Sequence, residues 1–190
     1  MKKDKRERII ETAKELFIEK GYIETKVEDI ARKMGISKGN FYTYFKSKEE
    51  VFHESIEIKK RENKEMLDSI DISKEPAEIL KEYFFSKMEK FLNHSQKISL
   101  HILDEMMKNE EIYKLKKEME EMEIDFLKQN VLNKYKCEDV DFKGKFIYRC
   151  FEAFLLSEGL NKRMEGKESC LKIEKDDIEK IIKFIDKGIR

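Results

Sequence analysis

The chain has 190 residues, of which 43% are charged, 39% hydrophobic and 11% aromatic, with seven glycines and one proline. That length allows one large domain or a small one joined to a medium one, and the scarcity of Gly and Pro predicts an all-α protein. The aromatic content excludes a disordered polyelectrolyte, and 41 basic against 41 acidic residues leave no bulk charge that would by itself mark a polyanion binder.

The first helix is expected from about Lys5 to Lys20, with Ile9, Ile10, Ala13, Leu16 and Phe17 on one face, and Gly21 as a left-handed cap. Thr25-Lys26-Val27-Glu28 reads as a capping box opening a second helix whose inner face is Val27, Ile30, Ala31 and Met34. Gly35-Ile36-Ser37 breaks that helix, and Ser37 caps a short third helix through about Phe45. A second capping box, Ser47 to Glu50, opens a long fourth helix reaching Leu67 or Ile70. Three short helices, the last two joined by a glycine turn, make a helix-turn-helix domain over residues 1–47.

Residues 48–190 read as a larger helical bundle, bringing the total to about nine helices. After Pro76, which is tolerated near a helix start, a fifth helix covers about Ala77 to Asn93 with Leu80, Phe84, Met88 and Phe91 inward. A shorter helix spans about Lys97 to Lys108. A long one follows from Glu110 to Tyr135, its stripe being Ile112, Leu115, Met119, Met122 and Phe126. The helix from Asp141 to about Leu160 is apolar on two faces, Phe146/Cys150/Phe154 and Ile147/Phe151/Leu155, so it should pack against two neighbours. The last, about Asp176 to Ile189, shows Ile178, Ile181, Ile182 and Ile185. With no further chain to cover these, Phe146, Cys150, Phe154, Ile178, Ile182 and Ile185 are the expected interface of a homodimer.

The third helix meets the demands of an element that enters a DNA major groove, which admits one helix bearing side chains for base edges and phosphates. Residues 1–50 carry 13 basic and 10 acidic side chains, and from Ile30 to Lys48 there is no acid while Arg32, Lys33, Lys38, Lys46 and Lys48 are basic. Lys38 suits phosphate, and Gly39 lets the backbone approach closely. Asn40 and Thr43 suit base edges or a thymine methyl, and Tyr42 and Tyr44 can offer hydroxyls to phosphate oxygens. Phe41 and Phe45 should anchor the helix on Ile30 and Leu16, while Thr25 and Lys48, at the starts of the flanking helices, should grip phosphates on either side.

From Arg8 through Lys48 the sequence resembles the DNA-binding domain of the TetR family of bacterial repressors. The resemblance is carried by Ile9-Ile10, Ala13, Leu16-Phe17, Gly21-Tyr22, Thr25, Ile30-Ala31, Gly35 to Gly39, Phe41-Tyr42, Tyr44-Phe45 and Ser47-Lys48-Glu49. It implies DNA contacts by Thr25, Lys38, Gly39, Tyr42, Thr43, Tyr44 and Lys48, with Ser37 and Asn40 beside them. Phe41 stands where the family often has leucine, and Asn40 where threonine or alanine is frequent; the first is a core exchange, the second leaves base preference open. For the remainder the resemblance extends to helix count and order. It implies a ligand-binding and dimerisation domain; the leading reading is a dimeric repressor released from double-stranded operator DNA by a small apolar or aromatic effector, and the alternatives are an activator or ligand-independent regulator, or a helical enzyme carrying a helix-turn-helix.

Met88, Phe91, Met119, Met122, Phe126 and Phe151 are the expected lining of an adaptable apolar effector pocket in the bundle. His94, His101, Asp104 and Glu105 could share a face, but the surrounding Lys and Glu favour a solvated role, and His53 is expected to pack between domains. No nucleophile elbow, phosphate-binding glycine loop or zinc-type Cys/His spacing occurs, so neither catalysis, metal nor cofactor is expected. Cys137, Cys150 and Cys170 read as reduced thiols, and without a signal peptide or membrane-length apolar run a cytoplasmic protein with no membrane partner is expected.

Overall fold

A computed structural model describes residues 4–95, 109–164 and 175–189; the expected helix at 97–108, the His101–Glu105 face and Cys170 lie outside them. The described residues form eight helices and no strand: α1 (Lys5–Lys20), α2 (Val27–Met34), α3 (Lys38–Tyr42), α4 (Lys48–Asp68), α5 (Pro76–Ser95), α6 (Glu110–Leu127), α7 (Val140–Met164) and α8 (Lys175–Ile189). α6 runs on through a π-helical segment, Lys128–Leu132, and a last turn, Asn133–Tyr135. The fold is all-α.

These helices make two compact units, one of residues 4–62 and 109–116, the other of 63–95, 117–164 and 175–189. In the first, Ile9, Ile10, Ala13 and Leu16 of α1 meet Ile30 of α2, Phe41, Phe45 and Val51 in one core. Phe41 and Phe45 are fully buried there, as expected, so α3 hangs on two aromatic anchors. Beside that core Phe17, Tyr22 and Phe52 cluster with ring centroids 4.4 to 5.6 Å apart.

Two caps differ from the sequence reading. Gly21 has φ 90° and ψ 156°, a glycine conformation but an extended rather than left-handed helical one, and its amide donates to the Phe17 carbonyl. Thr25 does not cap α2. Its hydroxyl is buried and donates to the Gly21 carbonyl at 2.7 Å, while Asp29 rather than Glu28 closes the helix start by accepting from the Lys26 amide. Asp29 and Glu28 both lie in the first turn, so local sequence offered either.

In the second unit α5 packs against α7, α8 and the π segment. Phe84 of α5 and Phe151 of α7 stack 3.9 Å apart, amid Leu80, Leu127, Val131, Leu132, Ile147, Leu155 and Ile178. Gly144 of α7 faces the π segment: a Cβ there would lie 3.0 Å from Lys128 Cγ, so the lysine side chain would have to give way by a few tenths of an ångström. α6 also turns a different face inward than its apolar spacing suggests. Glu123, Ile124 and Leu127 are buried, whereas Ile112, Leu115, Met119, Met122 and Phe126 are only partly so.

Glu123 is tolerated because its charge is met. Lys87 of α5 pairs with it and, at 2.8 Å, with Glu152 of α7, and the Tyr83 hydroxyl donates to it at 2.6 Å. The Lys87 ammonium also lies 4.1 Å from the centre of the Tyr148 ring. Burial, reinforced by the nearby carboxylates, raises the pKa of both tyrosine hydroxyls, so they stay protonated and Tyr83 keeps the proton it donates to Glu123.

Candidate nucleic-acid interface

α2 ends in a Schellman arrangement. Gly35 is left-handed at φ 66° and ψ 33°, its amide donates to Arg32, and the Ile36 amide donates to Ala31 at 3.0 Å. The reversal sends the chain into Ser37, whose hydroxyl accepts from the Asn40 amide at 3.1 Å and starts α3 as expected. α3 ends at Tyr42 rather than Phe45; a turn follows in which the Tyr44 and Phe45 amides both donate to Phe41.

Phe41 and Phe45 turn into the core, and Tyr44 packs partly against it. Ser37, Lys38, Gly39, Tyr42 and Thr43 are exposed, and Asn40 and Tyr44 half-buried. The Thr43 hydroxyl donates to the Gly39 carbonyl at 3.2 Å. A Cβ at Gly39 would meet nothing nearer than Ser37 Oγ at 3.9 Å, so packing within the chain does not require glycine there. Asn40 Oδ1 is buried with no hydrogen-bond partner among the described residues.

Two expected phosphate contacts sit differently. Thr25 is fully buried and its hydroxyl is directed to backbone carbonyls, so it braces the turn before α2 and presents no surface group. Lys48 donates to the Tyr22 carbonyl at 2.7 Å and lies 4.2 Å over the Tyr22 ring, tying the start of α4 to the turn after α1. Ser47 caps α4 by accepting from Glu50, whose carboxylate accepts from Lys46.

The basic patch seen in sequence is also largely paired in the fold. Arg32 lies 2.6 Å from Asp29, Lys33 lies 3.0 Å from Glu19 and 3.2 Å from Glu15, and Lys38 lies 2.5 Å from Glu28. The Lys38 hydrogen bond holds the Glu28 carboxyl below its ordinary pKa, and the same bond raises that of Lys38. The Arg32 pair is an i,i+3 contact within α2, whereas Lys33 and Lys38 meet acids 14 and 10 residues back that only the fold brings against them.

Residues 9–55 match the model of the bacterial regulatory proteins of the TetR family. The N-terminal domain belongs to that TetR family. A curated relative, the uncharacterized HTH-type transcriptional regulator YerO of Bacillus subtilis strain 168, is 35% identical over 137 residues, 68% of this chain and 46% of the relative. The chain thus spans less than half the length of that relative. The negative transcriptional regulator IcaR of the Staphylococcus epidermidis biofilm operon icaADBC is 38% identical over 52 residues, 27% of this chain and 28% of the relative. Among solved structures, a putative fatty acid metabolism regulator of Clostridium perfringens superposes with a TM-score of 0.71 at 25% identity, covering 96% of each chain. The likeness to that structure therefore extends beyond residues 9–55.

Other expected sites fall in the second unit. Met122 and Phe126 line a cleft of about 650 Å³ together with Lys64, Leu67, Asp68, Ile70, Ile72, Asp125, Gln129 and Asn130. Met88, Phe91, Met119 and Phe151 do not line it. Met88 and Phe151 are consumed by core packing, and Phe91 packs on that core's edge. Gln129 and Asn130 belong to the π segment, and the Asn130 amide donates to the Phe126 carbonyl at 3.0 Å.

The expected dimer surface divides. Ile178 and Ile182 are buried within the chain because α8 lays that stripe against α5, and Ile185 and Phe154 are partly buried against the same core. Phe146 and Cys150 are exposed, and Phe142 (68% exposed), Phe146 (53%) and Phe184 (78%) stand out in solvent. His53, also exposed, lies 3.6 Å from Glu111. Among the described residues there is no group able to hold a metal ion and no helix long and apolar enough to cross a membrane.

Proposed function

We propose that the protein is a DNA-binding transcriptional regulator that inserts α3 into the major groove. The observation that carries this reading is the outward polar face of α3, held on Phe41 and Phe45 with Gly39 left without an intrachain reason. Lys38 and Tyr42 contact phosphates, Gly39 admits the backbone to the groove wall, and Asn40 and Thr43 meet base edges. Ser37 fixes the start of the helix and Tyr44 its seat, while Thr25 and Lys48 act by holding the framework.

The working form is a homodimer joined through Phe142, Phe146 and Phe184, because aromatic side chains this exposed gain about 25 cal/mol per Å² on burial. Two-fold symmetry then places two recognition helices in successive major grooves, about 34–36 Å apart. The protein represses, by analogy with the negative regulator named above. A small, largely apolar effector in the cleft beside Met122 and Phe126 bears on Lys64, Leu67 and Asp68 at the end of α4, the helix whose start follows the DNA-reading segment. Effector and operator must then oppose each other by the same factor, with about 1–3 kcal/mol of coupling being typical.

The test is a salt titration of binding to a labelled random-sequence duplex. Lys38→Ala should weaken binding and reduce the magnitude of the log K against log salt slope by roughly 0.9. An unchanged slope removes Lys38 from the phosphate contacts.

A further inference from the structure

Lys38 stands on the exposed face of α3, and its ammonium lies 2.5 Å from the Glu28 carboxylate of α2 and 5.9 Å from the centre of the Tyr42 ring. Both partners of the ion pair are about half exposed, and the bond spans ten residues and the whole glycine turn. The other acids near this turn are committed elsewhere. Asp29 pairs with Lys20 and Arg32, and Glu15 and Glu19 pair with Lys33. Glu28 is thus the acid set against the recognition helix itself, in a chain that has no acid from Ile30 to Lys48.

We propose that Glu28 is an intramolecular competitor of DNA phosphate for Lys38, and that it lowers sequence-independent binding. The inference rests on the DNA-binding reading above. When the protein meets a duplex, Lys38 either exchanges the carboxylate for a phosphate or keeps it and brings a negative charge to the backbone. Both routes subtract from the electrostatic part of binding, which is the whole of non-specific affinity. At a specific site base contacts add a favourable contribution that Glu28 does not oppose, so the acid lowers operator and random-sequence binding by about the same factor and leaves their ratio unchanged. An exposed pair is weak, which sets the scale: losing the competition should tighten random-sequence binding by up to about fivefold.

The experiment measures fluorescence anisotropy of a labelled random-sequence duplex with the full chain, Glu28→Gln, Lys38→Ala and the double variant, across a salt series. Glu28→Gln removes the charge at an exposed position and keeps the shape, so the thermal midpoint should stay near that of the parent. Glu28→Gln is expected to bind severalfold tighter with a steeper salt slope, and this gain should be absent when Lys38 is already alanine. Equal affinity of Glu28→Gln and parent overturns the inference while leaving the DNA-binding reading in place. So does an equal gain in both backgrounds, which would make Glu28 a general repulsive charge not acting through Lys38. A parent that binds no duplex at any salt overturns the DNA-binding reading and the inference with it.

Discussion

Replacing Lys87 by methionine tests whether α5, α6 and α7 are fastened by charge inside the second unit. Lys87 and Glu123 are 8% and 3% exposed, and among the described residues the remaining donor to Glu123 is the Tyr83 hydroxyl at 2.6 Å. Methionine keeps the length and apolar stem of lysine but leaves Glu123 without its cation. Removing one partner of a buried pair costs about 3–5 kcal/mol, whereas replacing both can be neutral. For a chain of this size the loss corresponds to a fall in Tm of roughly 6–20 °C. Lys87→Met and Glu123→Gln, singly and together, would be compared by urea denaturation followed by circular dichroism. The double variant should be more stable than Lys87→Met alone, because the stranded charge is gone while Tyr83 can still donate to the amide oxygen. A Lys87→Met protein within 1 kcal/mol of the parent, on the scale of an exposed pair, would show that the pair is solvated and refute the reasoning.

Three further outcomes follow from single positions. Gly35→Ala forces a Cβ into the left-handed region and should cost about 1–2 kcal/mol of stability, read by the same denaturation, although nothing lies within 4 Å of the new atom. Gly39→Ala should leave stability unchanged or raise it by up to about 1 kcal/mol, because alanine suits a helix better. The same change should weaken duplex binding by about tenfold, as the added methyl holds the backbone from the groove wall. Phe146→Lys places a charge in the exposed aromatic stripe and should yield a monomer by sedimentation, because an apolar contact cannot accommodate an unpaired ammonium.

The local signals of the sequence translated well into structure. The bounds of α1, the Gly35 reversal, the Ser37 cap and the Pro76 helix start all depend on a few adjacent residues, and all appear as read. What sequence alone did not reveal depends on partners far along the chain. Glu123 reads as one more acid on a charged helix until Lys87, 36 residues away, is brought against it, and with that pairing the inner face of α6 rotates. Ile178 and Ile182 form a clear stripe, but periodicity does not say whether α5 or a second subunit covers it. The π segment has no sequence signature here, so the residues it turns toward the cleft, Gln129 and Asn130, went unnoticed. Within the candidate interface the outward residues of α3 were legible from the Phe41/Phe45 spacing. Burial of Thr25 and pairing of Lys38 were not, since both require the turn to be folded.

Selection from a randomised duplex library tests most directly whether α3 reads DNA in a two-fold symmetric complex. The parent protein should enrich a palindromic motif whose half-sites lie about one helical turn, 34–36 Å, apart, or a multiple of it. Asn40→Ala and Thr43→Ala should each alter preference at one position per half-site, by about 1–3 kcal/mol. A parent that enriches no motif, or two variants that enrich the parent's motif unchanged, would contradict the assignment of base reading to α3.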